Sequence, residues 1–172
     1  MSASSSSAER SPMAEVFLSL GSNVDRKKHI TEGLAELDAL FGPLTVSSVY
    51  ESEAVGFAGD PFYNLVLAFH SDLPAGEIAR MLREIEVAHG RREDSRKFEP
   101  RTLDIDLILY GDEVLEEGRL RLPREEAAKF AFMLEPLAEI APGFKHPVLG
   151  VEFARLWQAF DKSQSRQWRV KI

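Results

Sequence analysis

Cysteine is absent from the 172 residues of this chain. That excludes a disulfide framework, thiolate nucleophiles and cysteine-ligated metal, and it suits a reducing compartment, so any metal must be held by oxygen or histidine. No apolar run approaches the roughly 20 residues that cross a bilayer, and the opening "MSASSSSAERSP" lacks the apolar core of a signal peptide, so a cytoplasmic protein is expected. Large apolar side chains are missing from that serine-rich opening too. Residues 1–13 are therefore expected to form a disordered tail, and Met13, directly before "AEVFLSLGSN", reads as an alternative start. Positive charge is in deficit: 21 Lys and Arg against 28 Asp and Glu leave a net charge of −7, which argues against a general nucleic-acid or anionic-membrane partner. Apolar residues are plentiful. At 44% hydrophobic content the chain can bury one sizeable core, expected as a single domain over residues 14–172.

Cations gather in one stretch. "RREDSRKFEPR", from Arg91 to Arg101, carries five of them against three carboxylates, a local surplus in an acidic chain. Such a run is ordinarily a solvated loop, but what surrounds it is patterned. Val16 to Leu20 reads as a strand, and Asp25 can cap a helix whose apolar positions Ile30, Leu34, Leu37, Leu40 and Phe41 recur at helical spacing until Gly42 and Pro43 stop it. Leu44 to Tyr50 alternates and is β-branched, a second strand. "ESEAVGFAGDP" is a long loop rich in turn residues, and "FYNLVLAF" a third strand. A second helix follows, with a cap signal at Ser71 or Asp72, Pro74 in its first turn, apolar Ile78, Leu82, Ile85 and Val87, and Gly90 as its stop. After the basic loop comes the strand "TLDIDLILY", closed by Gly111 and Asp112. Strand, helix, strand, strand, helix, strand is the split βαβ order of an α/β (α+β) ferredoxin-like fold, an antiparallel sheet flanked by helices. The rest reads as a short strand near Arg119 to Leu122 and two or three short helices.

The strand after the basic loop poses the chemical question. A period of two sends Leu103, Ile105, Leu107 and Leu109 one way and Asp104, Asp106, Ile108 and Tyr110 the other. Two carboxylates then share a face roughly 6 to 7 Å apart, repelling by about 2.5 kcal/mol at an effective dielectric of 20. Aspartate is depleted in strands, so an incidental pair on a wet face is the less economical reading. Paired carboxylates suit Mg²⁺, which completes its octahedron with water and nucleotide phosphate, and arginine forks suit the phosphate oxygens. Together they point to metal-assisted phosphoryl transfer.

"GRREDSRKFEPRTLDIDLILYG" closely resembles the signature of the 6-hydroxymethyl-7,8-dihydropterin pyrophosphokinase family, folate-pathway enzymes that move diphosphate from ATP to a pterin alcohol and leave AMP. "LGSN", "VSSVYESEAVG", "FYNLVLAF", "REIEVAHGR" and "FMLEPLAEIAP" are similar to that family's blocks in its order, over roughly residues 15 to 160. The resemblance implies a Mg²⁺-dependent cytoplasmic enzyme that uses two ions, takes ATP as co-substrate and acts as a monomer on small molecules, without nucleic acid or membrane. It implies that Asp104 and Asp106 hold the metal and that Arg91 and Arg101 grip the triphosphate, these being the catalytic set. It places Asn64 and Phe132 on the pterin ring, with Ser52 and Val55 lining the same pocket. Glu86, Leu107, Arg119, Arg121 and Arg124 are implied beside ATP. Read as ordinary structure, Asn64 would satisfy a strand end, Phe132 would be core and Glu86 would face solvent.

The chain also departs from that family. Where its members carry a histidine after the proline and an arginine two positions before the aromatic, this chain has Arg124 and Phe130; Glu93 and Phe98 stand where many members have arginine and tryptophan. A lost charge-assisted hydrogen bond costs on the order of 1.5 to 3 kcal/mol, or roughly 10- to 150-fold in binding. Two alternatives therefore stay open: a divergent paralogue with weak ATP binding or an altered donor or acceptor, and a ferredoxin-like RNA-binding module, which would want a basic sheet face with exposed aromatics.

Overall fold

The computed structural model describes residues 13–52, 61–90, 102–164 and 166–172. In chain order the elements are β1 (Ala14–Ser22), α1 (Arg26–Phe41), β2 (Thr45–Val46), β3 (Val49–Ser52), β4 (Phe62–Ser71), α2 (Ala75–Ala88), β5 (Asp104–Tyr110), β6 (Leu115–Glu117), β7 (Leu120–Leu122), α3 (Glu126–Lys129), α4 (Ala131–Ile140), α5 (Phe153–Ala159) and β8 (Gln167–Val170). The main sheet runs β5-β1-β4-β3-β8, every pairing antiparallel, with β2 added to β4 and β6-β7 forming a separate hairpin. Through β5 this is the ferredoxin-like order expected from the sequence.

Both faces of the sheet are covered, which is why β1 is buried from Val16 to Ser22 rather than at alternate positions. One face, with Leu18, Leu20, Leu65, Leu67 and Ile105, packs on α1 and α2 through Ile30, Leu37, Ile78 and Leu82. The other face, with Phe17, Val66, Ala68 and Leu109, packs on α4 and α5 through Leu134, Leu137 and Phe153. Burying each such aliphatic or aromatic side chain contributes about 1.5–3 kcal/mol against the unfolded chain. Helix α1 can come close to the start of β5 because Gly33 has no side chain: a Cβ there would stand 3.1 Å from Leu103 Cδ2.

Several local expectations are corrected. Asp25 precedes α1 but does not cap it through its side chain; it holds a left-handed backbone, φ 44°, and its carbonyl accepts from His29 N–H. Ser71 and Asp72 do not cap α2 either, since Pro74 is its N-cap and Ser71 Oγ accepts from Leu73 N–H. Leu40 and Val87, expected on the apolar stripes of their helices, face solvent, whereas Glu86 is buried on α2. The single second strand is two short ones, β2 and β3. Ser47 breaks it by exchanging bonds with Val66, donating from its N–H and accepting Val66 N–H on Oγ, while Ser48 turns its N–H and hydroxyl to Glu139 on α4. Strand β8, absent from the sequence reading, hydrogen-bonds to β3 along the sheet edge. Among the described residues, no helix is long and apolar enough to cross a membrane.

Candidate active site

Register places the site. Pairing of β1 with β5 sets Gly21 beside Asp104 and Ser19 beside Asp106. Gly21 also pairs with Asn64 of β4, and Asn64 with Tyr50 of β3. Cross-strand partners point to the same face, so Asp104, Gly21, Asn64 and Tyr50 form one row across four neighbouring strands, with Asp106 and Ser19 in the next row. With strands about 4.8 Å apart, the backbones carrying Asp104 and Asn64 lie about 10 Å apart, and only a glycine stands between them. This polar row continues the α4/α5 face of the sheet beyond its apolar core.

A β-bulge corrects the predicted alternation on β5. The register shifts between Phe17, which faces Leu109, and Leu18, which faces Leu107. Ile108 is the extra residue, so beyond it the faces exchange: Leu109 joins the aspartates' face, and Tyr110 crosses to the α1/α2 side, where its hydroxyl donates to Leu73 O at 2.7 Å. Asp104 and Asp106 precede the bulge and do share a face. Leu107 points its side chain away from them into the α1/α2 core.

The carboxylates have neighbours that tie them to the fold. Arg124 donates its backbone N–H to Ile108 O at 3.0 Å, and its guanidinium lies 3.9 Å from Asp106 Oδ1 while contacting Glu126 at 3.2 and 3.3 Å. Burial alone would lower the Arg124 pKa, but the hydrogen bond to Glu126 and the fields of Asp106, Glu126 and Asp104 raise it above its ordinary value. Desolvation pushes Glu126 up, and the bond from Arg124, a backbone hydrogen bond and the charges of Arg124 and Lys129 together outweigh it, so its carboxyl lies below the usual range. Glu86 is 6% exposed, and its Oε2 accepts Ile105 N–H at 2.8 Å. It does not face solvent: it fastens α2 to the peptide between the two aspartates.

On the other side of Gly21, Asn64 is buried and its Nδ2 donates to Ser52 Oγ at 3.1 Å, bringing together two residues assigned to the pterin. Phe132, in the first turn of α4, is half-buried over the same face of the sheet and stacks on Phe130 at 5.6 Å. Arg121 is on β7, exposed and paired with Glu116 at 3.2 Å, and Arg119 is exposed at the hairpin turn. Arg91, Arg101 and Val55 lie outside the described residues. The sequence reading missed Ser19 and Gly21 as parts of the site and Glu126 as the carboxylate holding Arg124. "LGSN" was the available signal, but only the register of β1 shows that its glycine separates the two halves. An open concavity along α1, lined by Asp25, Arg26, Lys27, Lys28, Thr31, Glu32 and Tyr63, contains neither Asp104 nor Asp106.

Among the described residues, Asp104 and Asp106 supply oxygen donors at this end of the row with Ser19 as their cross-strand neighbour, and a hard cation such as Mg²⁺ fits that set. Comparison with known proteins agrees with the chemistry. Residues 17–142 match the family described as 7,8-dihydro-6-hydroxymethylpterin-pyrophosphokinase (HPPK). The 2-amino-4-hydroxy-6-hydroxymethyldihydropteridine pyrophosphokinase of Aquifex aeolicus is 38% identical over 138 residues, covering 79% of this chain and 86% of its own. The Pseudomonas aeruginosa protein of the same name is 36% identical, covering 77% and 83%. A solved structure of Plasmodium falciparum HPPK-DHPS with pteroate superposes at TM-score 0.72 and 14% identity. It covers 96% of this chain and 48% of that one, so this chain spans about half the length of that protein.

Proposed function

The chain belongs to the 7,8-dihydro-6-hydroxymethylpterin-pyrophosphokinase family, and from that premise we propose how its residues divide the transfer of diphosphate from ATP to 6-hydroxymethyl-7,8-dihydropterin in folate biosynthesis. The observation that carries the division is the row itself, carboxylates on β5, bare backbone at Gly21, and a buried amide on β4. Asn64, held by Ser52, recognises the amide edge of the pterin, and Phe132 covers its ring. The hydroxymethyl group then extends over Gly21 toward the aspartates. Its oxygen gives up its proton to solvent and bonds to the β-phosphorus of ATP, the bond from that phosphorus to the oxygen bridging the α-phosphate breaks, and AMP leaves with that oxygen. Asp104 and Asp106 are the donors that would hold two Mg²⁺ ions, whose chemistry when bound is to neutralise the phosphate oxygens. Arg124, kept charged between Glu126 and Asp106, supplies a cation toward the triphosphate, a place the family fills differently. Arg91 and Arg101 add theirs from the basic stretch. Arg119 and Arg121 are exposed cations on the neighbouring hairpin. Glu86 positions the aspartate strand.

We take this to be one pyrophosphokinase domain over residues 14–172, working as a cytoplasmic monomer. An RNA-binding sheet needs aromatics on an open face, whereas Phe17 of β1 and Tyr50 of β3, on the α4/α5 side, are fully buried. Titration with hydroxymethyl-pterin and a non-hydrolysable ATP analogue tests the reading. Analogue binding should require Mg²⁺, and Asn64→Ala should weaken pterin tenfold or more while leaving the analogue unchanged. Analogue binding that is indifferent to Mg²⁺ would overturn the metal assignment.

A further inference from the structure

The chain has four histidines, and two of them meet where α1 begins and α2 ends. His29, in the first turn of α1, and His89, the C-cap of α2, approach Nδ1 to Nδ1 at 2.7 Å. Glu32 stands one turn after His29 on the same face of α1, and one ligand atom from each of His29, Glu32 and His89 lies within 4.8 Å of the other two. Nothing in diphosphate transfer uses these groups.

Two imidazoles need not converge for structural reasons, and a third feature shows how this pair is arranged. His89 is 9% exposed, and its Nε2 lies 2.6 Å from Glu36 Oε1. A carboxylate accepts only, so Nε2 of His89 carries the hydrogen and its Nδ1 presents a lone pair toward His29. This is the carboxylate–histidine arrangement that orients metal-ligating imidazoles.

We propose that His29, His89 and Glu32 form a binding site for a borderline transition-metal dication of the Zn²⁺ class, clamping the C-terminus of α2 to the start of α1, with Glu36 as the residue that positions His89. Two neutral imidazoles and one carboxylate are a three-ligand set of the kind such ions take with water in the fourth place. On binding, His29 moves its proton from Nδ1 to Nε2, so both Nδ1 lone pairs meet the ion and no net proton is lost. Metal–nitrogen bonds of about 2.0–2.1 Å at tetrahedral angles set the nitrogens about 3.3 Å apart, so the pair opens by about 0.6 Å. Glu32 is exposed and free to swing in. The site is chemically distinct from the oxygen-only Asp104/Asp106 pair, which suits Mg²⁺.

Co²⁺ is the probe, because a tetrahedral nitrogen-ligated ion absorbs strongly in the visible and an octahedral oxygen-ligated one does not. The full chain is titrated in excess Mg²⁺, which occupies the aspartates. A saturable band near one equivalent is expected, displaced by Zn²⁺, lost in His29→Ala, and retained in Glu36→Gln with affinity weakened about 10- to 100-fold. His29→Ala should keep diphosphate transfer under Mg²⁺ at the parent's rate, which shows that the variant is folded. Glu32→Gln, a milder surface change, should weaken Co²⁺ tenfold or more and provides a second check. Absence of a tetrahedral band in the parent, or a band unchanged in His29→Ala, would overturn the proposal and leave a histidine pair joined only by a hydrogen bond.

Discussion

A methyl group on Gly21 would stand 2.9 Å from Asn64 Oδ1, closer than real Cβ atoms approach such an oxygen. Something must shift, and Asn64 is the movable partner, so Gly21→Ala should turn its amide away from Ser52 and the pterin position. We expect the KM for pterin to rise tenfold or more, the KM for ATP to change little, and stability to fall by about 1–3 kcal/mol from overpacking. Steady-state kinetics in both substrates decides it; equal rises in both KM values would place Gly21 outside the pterin half. Arg124 offers the complementary test. It is held by Glu126 and by its backbone bond to β5, beside Asp106. Arg124→Ala should raise the KM for ATP by about 10- to 150-fold, the equivalent of one charge-assisted hydrogen bond, and leave pterin alone. An unchanged KM for ATP would remove Arg124 from the nucleotide's contacts.

Between elements, the bonds from Glu139 of α4 to the broken second strand show how the pterin side is braced. Its carboxylate accepts from Ser48 N–H at 3.0 and 3.1 Å, from the Ser48 hydroxyl at 2.8 Å and from Tyr50 OH at 2.7 Å, and Tyr50 pairs with Asn64. Desolvation pushes Glu139 up, yet the bonds from Tyr50 and Ser48 and the charge of Arg169 outweigh it, so its pKa falls below the ordinary 4.5. A depressed carboxylate contributes stability that is present above the unfolded value and disappears as pH falls through the folded one. Glu139→Gln should therefore unfold about 1–3 kcal/mol more easily than the parent at pH 7, and the gap should close as pH drops below about 4.5, read from urea midpoints. A gap constant from pH 7 to pH 3 would deny the carboxylate this role. The same contacts explain what sequence could not supply. Helices α1 and α2, β1, β4 and β5 were legible because their partners' apolar periods are local. The Ser47–Ser48 break was not, because its cause is Glu139, far along the chain. The bulge at Ile108 was hidden by the unbroken apolar run Leu107 to Leu109, which has no period to read. Glu86 was ambiguous for the same reason: only the packing of α2 on β5 shows that its carboxylate meets Ile105 N–H rather than water.

Across the whole molecule, stability and chemistry are carried by different parts of one sheet. The α1/α2 core and the α4/α5 core hold it from opposite sides, while Asp104 and Asp106 sit at the polar end of one face, outside both apolar clusters. The double variant Asp104→Asn, Asp106→Asn keeps the shape of both side chains at half-buried positions and leaves the two apolar clusters untouched, and the 3.9 Å approach of Arg124 to Asp106 is screened by solvent. Its unliganded unfolding free energy should stay within about 1 kcal/mol of the parent. Leu67→Ala, at a fully buried position in the α1/α2 core, should instead lose about 2–5 kcal/mol while the folded fraction keeps its kcat. Ligand linkage then separates the two further. A Mg²⁺-bound ATP analogue at about 100 times its dissociation constant should stabilise the parent, and equally Leu67→Ala, by about 2.7 kcal/mol, and should add almost nothing to the aspartate variant. Thermal and urea unfolding of all three proteins, with and without nucleotide, measures both effects together. If the aspartate variant is stabilised by the analogue as strongly as the parent, nucleotide binding does not run through the carboxylate row, and the division of labour argued from the register of β1, β4 and β5 fails with it.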